Sequence, residues 1–542
     1  MKSQPFITVV LFLLSSLPLF GQEFYEVIDQ QIEQSTTEAF AGQSTDSEFL
    51  RRIYLDLIGQ IPTADEARKF LSNTAIDKRS LLIDQLLQDP RYTRRMTEFF
   101  NVMLMERRGE DPNWQLFLSS SFKNNVPWNQ MVKQMVSPDT KEKNTRGAAY
   151  FLTKRLEKYG QNPTDFPGLA RDIGRMFLGM DLACAQCHDH LFIDDYKQAD
   201  FQGLFAFINN SFIRRDTDYP AIGMNPVKVK LEFNSVFAEG TFSTGPKLPG
   251  MDEIPVPEFV TGEEFSIPPN KDTKAPGIPK FNPLDYLARQ LPTESNQSFN
   301  VNAVNRIWFL MMGRGIVQPL DLHHSDNPPS HPELLQLMGQ QLSEHNYDIK
   351  WLIRQIALSK TYQRTGVVNP SVANAKHQQY RVYAEKPMSA EQLMWSMLTA
   401  TGQLSHIPRE PADSEPDTDQ PLDDRIDQTL EGIRADFLAA YANPPREPET
   451  EFAPSVRGAL FILNGPRVLS WISPRPGNLA ELLNQQADNY AETLYLSILS
   501  RKPTSEEAKQ FNQYISSHSD QAKAIEQAIW ALLASNEFSI NH

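Results

Sequence analysis

A proline- and glycine-rich stretch at residues 240–281 most strongly constrains how this chain of 542 residues can fold. Its sequence includes GPKLPG, IPVPEF and KAPGIP, and each proline removes a backbone hydrogen-bond donor and fixes φ. We therefore expect an extended connector that lies over the surface. Because the chain is too long for one core, the connector is predicted to separate two domains, at residues 46–239 and 282–542.

Both halves show the hydrophobic periodicity of amphipathic helices. In the first half, Thr63 and Glu66 form a capping box, and helices are predicted at residues 47–59, 78–87, 94–106, 167–179 and 200–208. In the second half they are predicted at residues 282–290, 301–312, 331–345, 350–362, 389–402, 422–441 and most of 479–534. A polar, acidic loop at residues 408–421 interrupts them.

Strict alternation at residues 227–233 predicts a strand with one buried face. The predicted fold class is therefore mainly α, with two helical domains joined by the Pro/Gly-rich connector and a small β element.

The N-terminus resembles a secretory signal peptide. Lys2 precedes an apolar run at residues 6–20, so residues 1–21 are predicted to be removed after export. Retention of this segment as an anchor is the alternative. No later segment approaches the roughly 20 apolar residues that a membrane span requires, so we expect no stable span after cleavage. The predicted location is periplasmic or extracellular.

The formal net charge of −15 argues against a nucleic-acid partner, because such proteins carry a basic surface stripe. Phosphate-binding loops, nucleophile elbows and His-Glu-x-x-His sequences are also absent from the chain.

Cys184 and Cys187 are the chain's only cysteines, and His188 follows directly. This Cys-x-x-Cys-His pattern is typical of covalent haem c attachment. Two thiols about one turn apart can reach both vinyl groups of a porphyrin, and the adjacent imidazole can then act as the proximal iron ligand. Export favours the same interpretation, since haem c is attached outside the cytosol.

Three other uses of these residues stay open. Cys184 and Cys187 can form a structural disulfide in an oxidising compartment. They can act as a redox-active thiol pair, although a thioredoxin-type motif requires a βαβ context that the flanking helix does not supply. A zinc site would use His188 and His190 as well, but four ligands within seven residues strain a tetrahedral arrangement.

The sixth iron ligand would decide whether a haem carries electrons or activates small molecules. His331 is the candidate distal ligand, provided that the two halves dock. Its structural alternative is the start of a helix, with Ser330 as N-cap and Pro332 as the first helical residue. His323 and His324 are weaker candidates.

Met176 and Met180 lie on the wrong side of the motif to cover the distal face, so we expect them in the core. His190 is too close to His188 to reach the opposite side of the ring. Arg306 is predicted to hold helix ends together through Asp321 or Asp326.

Long stretches of the chain resemble an exported planctomycete family abbreviated PSCyt/PSD. They include FLRRIYLDLIGQIPTADEARKFL, FLGMDLACAQCHDHLF and VNRIWFLMMGRGIVQPLDLHHSDNPPSHPELL. The resemblance implies a cytochrome-c-like N-terminal domain and a planctomycete-specific C-terminal domain, both without a settled activity. Leu191 replaces the proline that the family usually has after the second histidine of the motif.

We expect electron transfer or haem-based redox chemistry, with a redox partner protein. The alternative is a haem-free binding or scaffold protein with a disulfide between Cys184 and Cys187. A third class, a hydrolase of extracellular polymers, would show a pocket with two facing carboxylates far from Cys184.

Overall fold

The computed structural model describes residues 22–139, 141–158, 160–405, 428–449, 456–485 and 490–542. The predicted signal peptide, residues 1–21, and the predicted loop at residues 408–421 lie outside these ranges. The described residues form a mainly helical protein with small two-stranded sheets, which confirms the predicted fold class. Among them, no helix combines the length and apolar character needed to cross a bilayer.

Ten helices, α1 to α10, precede the first strand in the described residues. They are Phe24–Gln34, Asp46–Ile58, Ala64–Ser72, Lys78–Leu87, Pro90–Met105, Pro112–Lys123, Trp128–Val136, Tyr150–Arg155, Phe166–Ile173 and Gln198–Ile208. The capping box of Thr63 and Glu66 starts α3 as predicted. α5 begins four residues earlier than predicted, because the Asp89 side chain caps it and Pro90 occupies its first position.

The second half holds α11 to α24 in its described residues. They are Pro283–Gln290, Gln297–Met312, Pro332–Glu344, Ile349–Leu358, Lys360–Gln363, Ala390–Thr401, Gln428–Tyr441, Val456–Asn464, Pro466–Ile472, Leu479–Gln485, Tyr490–Leu499, Ser505–Ser517, Gln521–Leu533 and Asn536–Ser539. The helix predicted at residues 350–362 divides in two, since Ser359 is extended and its hydroxyl caps α15. At α13 the N-cap is His331, one residue later than predicted, and Pro332 is the first helical residue as expected.

In the described part of the chain, four antiparallel strand pairs lie between or beside the helices. They are Ser211–Ile213 with Ile222–Met224 (β1, β2), Leu231–Asn234 with Thr241–Thr244 (β3, β4), Phe265–Ile267 with Ile278–Pro279 (β5, β6), and Lys386–Pro387 with Ile540–Asn541 (β7, β8). The strand predicted at residues 227–233 starts only at Leu231, and Val229 is 75 % exposed instead of buried. Three short strands, β4, β5 and β6, lie within the predicted connector at residues 240–281.

The largest hydrophobic core draws residues from both sides of the connector. Ile53 and Trp114 from the first half belong to the same cluster as Trp308 and Tyr362 from the second. A second cluster comprises mainly the C-terminal helices but includes Leu55 of α2. The two halves therefore pack on each other through apolar surface, while the domain boundary itself stays a prediction.

α2 crosses this junction and buries two arginines. Arg52 donates to the carbonyls of Tyr362 and Arg364, at 2.5 and 2.8 Å, and forms an ion pair with Glu48. Arg51 donates to the carbonyl of Phe538 at 2.6 Å, near the end of the chain. Backbone carbonyls thus satisfy buried charges, as a low-dielectric interior requires, and these bonds join the two halves.

Candidate functional site

The five residues 184–188 form a surface turn, called here the CxxCH turn. Its first three residues, Cys184–Gln186, are one turn of 3₁₀ helix that follows α9 and a π-helical extension at Gly174–Leu178. Ala185 is fully buried and fixes the turn to the core, whereas both cysteine side chains are exposed and unbonded to each other. The thiols are therefore presented outward from an anchored backbone.

Polar side chains hold the backbone of this turn. Gln202 donates from its amide to the carbonyl of Gln186 at 2.9 Å, and Arg171 donates to the side-chain oxygen of Gln186 at 2.6 Å. The backbone amide of Val236 donates to the carbonyl of Cys187 at 3.0 Å. Since several elements fix the turn in place, the cysteines need little rearrangement to receive a ligand.

The hydrogen bonding of His188 leaves one ring nitrogen available. Its Nδ1 lies 2.6 Å from the backbone carbonyl oxygen of Asp189, which can only accept a hydrogen bond. We infer that Nδ1 carries the proton, so that Nε2 has a free lone pair. A carbonyl on Nδ1 is the usual way in which proteins prepare a histidine for metal ligation through Nε2.

His190 has the opposite arrangement. Its Nδ1 accepts hydrogen bonds from the backbone amides of Phe192 and Ile193, at 3.2 and 2.9 Å. The neutral ring therefore carries its proton on Nε2, which leaves no lone pair for a metal. Across the described ranges, no group of three or more His, Cys, Asp and Glu side chains converges as a metal site. The structure therefore gives the zinc alternative no support.

Four exposed apolar side chains flank the CxxCH turn, and we call them the apolar rim: Leu191, Phe192, Val236 and Phe237. Phe192 is 82 % exposed and Phe237 is 68 % exposed. The Phe237 ring lies 4.8 Å from the His188 ring, measured between centroids. Apolar groups gathered at one place on a surface indicate a site that another molecule covers.

His323 and His324 lie beside the segment that follows the turn. The hydroxyl of Tyr196 donates to the carbonyl of His323 at 3.2 Å, and its ring lies 5.5 Å from that of His324. Burial lowers the pKa of His323 to about 4, which keeps its ring neutral at neutral pH. The His323 ring lies close to the backbone at residue 179, which is a glycine with a φ of 70°. A Cβ at that position would lie 2.7 Å from the ring.

His331, the predicted distal ligand, is buried and already hydrogen bonded at both ring nitrogens. Nδ1 lies 3.1 Å from the Ser330 hydroxyl, and Nε2 lies 3.1 Å from the hydroxyl of Ser35, the C-cap of α1. The ring packs on Tyr380, and burial lowers its pKa to about 4. These contacts belong to the junction of α1 and α13, so the ligand role of His331 stays a prediction that they do not favour.

Met176 is buried in the large core, and Met180 packs partly buried against it, as expected for structural methionines. The predicted ion pair of Arg306 with Asp321 is present. Arg175 joins the same carboxylate at 3.0 Å, so Asp321 connects the end of α9 to α12.

A cavity of about 210 Å³ lies between α5, α12 and α16. We call it the α5–α16 cavity. Five carboxylates on its wall are held by cations or other donors: Asp56, Glu106, Asp321, Glu391 and Glu449.

Glu98 differs from these five carboxylates. Its Oε1 accepts a hydrogen bond from the Trp395 indole, while its Oε2 has no partner among the described residues, and burial raises its pKa. The cavity therefore does not present the two free, facing carboxylates that the hydrolase alternative would need. Sequence reasoning missed this cavity because its residues are scattered from position 56 to position 541.

Two family models match the chain. PSCyt2, a protein of unknown function (DUF1549), matches residues 26–212, and PSD1, a protein of unknown function (DUF1553), matches residues 285–515. The first match includes the CxxCH turn, and the second includes His323, His324 and His331. Neither the curated proteins nor the solved structures contain a match.

Proposed function

We propose that this chain, whose two matched regions support the PSCyt/PSD family of unknown function, is an exported c-type haem protein that transfers electrons. Cys184 and Cys187 would hold the haem by adding their S–H groups across its two vinyl groups, which requires no further oxidant or reductant. His188 would ligate the iron through Nε2. The periplasmic or extracellular location and the redox partner are parts of the same proposal.

The proposal rests mainly on the hydrogen bonding of the His188 ring. The Asp189 carbonyl oxygen lies 2.6 Å from Nδ1 of His188, and the tautomer inferred from this contact leaves Nε2 free to bind a metal. In the neighbouring His190, Nδ1 accepts hydrogen bonds from two backbone amides. Of the two histidines in this loop, the one in the haem-motif position is thus the one whose Nε2 keeps its lone pair.

The surroundings of the turn also suit a large apolar group. A porphyrin is a flat macrocycle, and the apolar rim offers two exposed aromatic and two exposed aliphatic side chains near the CxxCH turn. Covering such side chains removes apolar area from water, which stabilises the bound state. The thiols, the ligating nitrogen and the rim therefore fit the group that the sequence motif implies.

When bound, haem supplies one-electron chemistry at its iron. The chain's residues would fix its position and tune its ligand: the Asp189 carbonyl holds the Nδ1 proton and makes Nε2 a stronger donor. Because the turn lies at the surface, a partner protein can approach closely. The net charge of −15 favours a partner with a positively charged docking surface.

Production of the full chain in a host with haem c maturation machinery tests the proposal. We expect a Soret band and haem that stays on the polypeptide in denaturing gels. His188→Ala and His190→Ala form a matched pair, since both remove an imidazole from the same loop. We expect His188→Ala to change the ligation-sensitive absorption bands, and His190→Ala to leave them as in the unaltered protein.

A colourless product under these conditions would contradict the proposal. If its two cysteines were joined by a disulfide, the result would support the haem-free scaffold instead. Equal spectral changes in the two histidine variants would remove the assignment of His188 as proximal ligand, even if haem were attached.

A further inference from the structure

The α5–α16 cavity has one wall made by a single face of α5. Arg95, Glu98, Phe99 and Val102 recur there at the three- and four-residue spacing of a helix face. Met388 and the first residues of α16 also line it. The lining mixes apolar side chains with many charged ones, and ion pairs within the protein occupy most of those charges.

Arg95 is the unusual residue of this wall. It is only 7 % exposed, and its guanidinium makes no hydrogen bond or ion pair with any described residue. Its one ring contact is with Phe99, 5.7 Å from the centroid. Buried charges are normally paired, because an unpaired charge in a low-dielectric site is costly. An unpaired buried arginine on a cavity wall indicates a missing anion.

Nearby carboxylates do not supply that anion. Asp56 is bound by Lys386 at 2.7 Å, and both oxygens of Glu391 are bound by Arg107. Glu98 is one turn from Arg95 on the same helix, but its free oxygen makes no bond to it. Burial raises the pKa of Glu98 and Glu391 adds to the rise, while Arg94, Arg434 and the Trp395 hydrogen bond oppose it. The net rise favours the neutral form, which can donate a hydrogen bond.

The start of α16 adds a second positive contribution. Ser389, Ala390, Glu391 and Gln392 all line the cavity, and Ser389 is the N-cap of this twelve-residue helix. The N-terminal end of a helix carries a partial positive charge that favours anions. Arg95 and this helix end therefore contribute the same sign of potential to one cavity.

We propose that the α5–α16 cavity binds a small organic monocarboxylate with an apolar body. The ligand carboxylate pairs with the guanidinium of Arg95, and the carboxyl of Glu98, whose Oε2 has no partner among the described residues, donates a hydrogen bond to it when protonated. Its apolar part contacts Phe99, Val102 and Met388. A monoanion suits the site better than phosphate, because one unpaired cation faces it and the surrounding carboxylates repel a second negative charge. A volume of about 210 Å³ limits the ligand to less than drug size.

Calorimetric titration of the full chain tests this site with benzoate, phenylacetate and hexanoate as probes. We expect at least one of them to bind with a dissociation constant below about 1 mM. Benzamide, the neutral isostere of benzoate, should bind at least tenfold more weakly, and inorganic phosphate should not compete. This comparison needs no variant and is independent of haem attachment.

Variants then test which residues bind the ligand carboxylate. Arg95→Met should weaken binding at least tenfold, whereas Arg68→Met on the exposed side of α3 should leave it unchanged. In the unaltered protein, affinity should fall as rising pH ionises Glu98, and Glu98→Gln should bind without that pH dependence. A merely structural role of Arg95 would move the unfolding temperature and not the ratio of benzoate to benzamide affinity.

Failure of all three carboxylates to bind would overturn the proposal. Equal binding of benzamide and benzoate, or unchanged binding by folded Arg95→Met protein, would also overturn it.

Discussion

Helix α2 and the CxxCH turn differ in how they use their polar groups. In α2 the arginines are buried, and carbonyls or Glu48 occupy their donors. In the CxxCH turn the backbone is held by other residues, while two thiols and the Nε2 of His188 make no bond within the described chain. Polar groups that are fully satisfied inside the fold stabilise it, and groups that are fixed but unsatisfied at the surface are available to a ligand.

We expect substitution of the buried Arg52 in α2 to destabilise the protein most. Arg52→Met removes hydrogen bonds to Tyr362 and Arg364 and leaves the buried carboxylate of Glu48 without its cation. We expect the free energy of unfolding to fall by about 3–5 kcal/mol in urea denaturation. The control Arg68→Met breaks an exposed pair with Asp65 and should cost less than about 1 kcal/mol. Similar losses in both variants would contradict a structural role specific to Arg52.

The next largest change in the free energy of unfolding is expected from the buried His331 as the pH is lowered. His331 has both ring nitrogens bonded, unlike His188, and burial lowers its pKa to about 4. Because the unfolded state then binds more protons, the stability contribution is complete above about pH 6.5 and is lost as the pH falls towards 4.

We expect this loss to amount to about 3 kcal/mol for His331, measured as the free energy of unfolding against pH. His331→Gln should reduce the slope of the curve in this range, and His188→Gln should not. A slope unchanged by His331→Gln would contradict the assignment.

The fixation of the turn can be tested with Gln202→Ala. This change removes the amide that donates to the carbonyl of Gln186 at 2.9 Å. We expect a loss of about 1 kcal/mol in the free energy of unfolding, because a partly buried hydrogen bond is broken. Amide hydrogen exchange in the turn should accelerate as well. If exchange at residues 184–188 stayed unchanged, the side-chain amides would not be what holds the turn.

We expect Arg95→Met to change the free energy of unfolding least, and to raise it where the other variants lower it. Arg95 is buried like Arg52 but has no hydrogen-bond partner among the described residues. Replacing it by an apolar side chain should therefore leave the ligand-free protein equally stable, or stabilise it by about 1 kcal/mol. The measurement is the thermal unfolding temperature of Arg95→Met protein, compared with that of Arg52→Met protein. A loss comparable to that of Arg52→Met would show that Arg95 has a structural partner.

The sequence predicted the helices well where periodicity and caps agree. The capping box of Thr63 and Glu66 and the proline start at Pro332 were found because such signals are local. The strand at residues 227–233 was predicted too long, because alternation alone does not show whether a core lies beneath it. Asp89 and Pro90 are a local signal of the same kind, so the early start of α5 was predictable, and periodicity alone placed it four residues too late.

The candidate site was only partly predictable. Spacing selected Cys184, Cys187 and His188, but the tautomer of His188 depends on the carbonyl that the folded turn brings to it. Residues 236 and 237 of the apolar rim reach Cys187 and His188 through tertiary structure alone. The same is true of the α5–α16 cavity, whose walls meet only after both halves pack together.

Peptide mass mapping of the protein purified from its natural source shows whether haem is attached. We expect the peptide containing residues 184–188 to carry one haem, bonded to the sulfur atoms of both Cys184 and Cys187. Recovery of that peptide with two unmodified thiols, or with a disulfide between them, would contradict it.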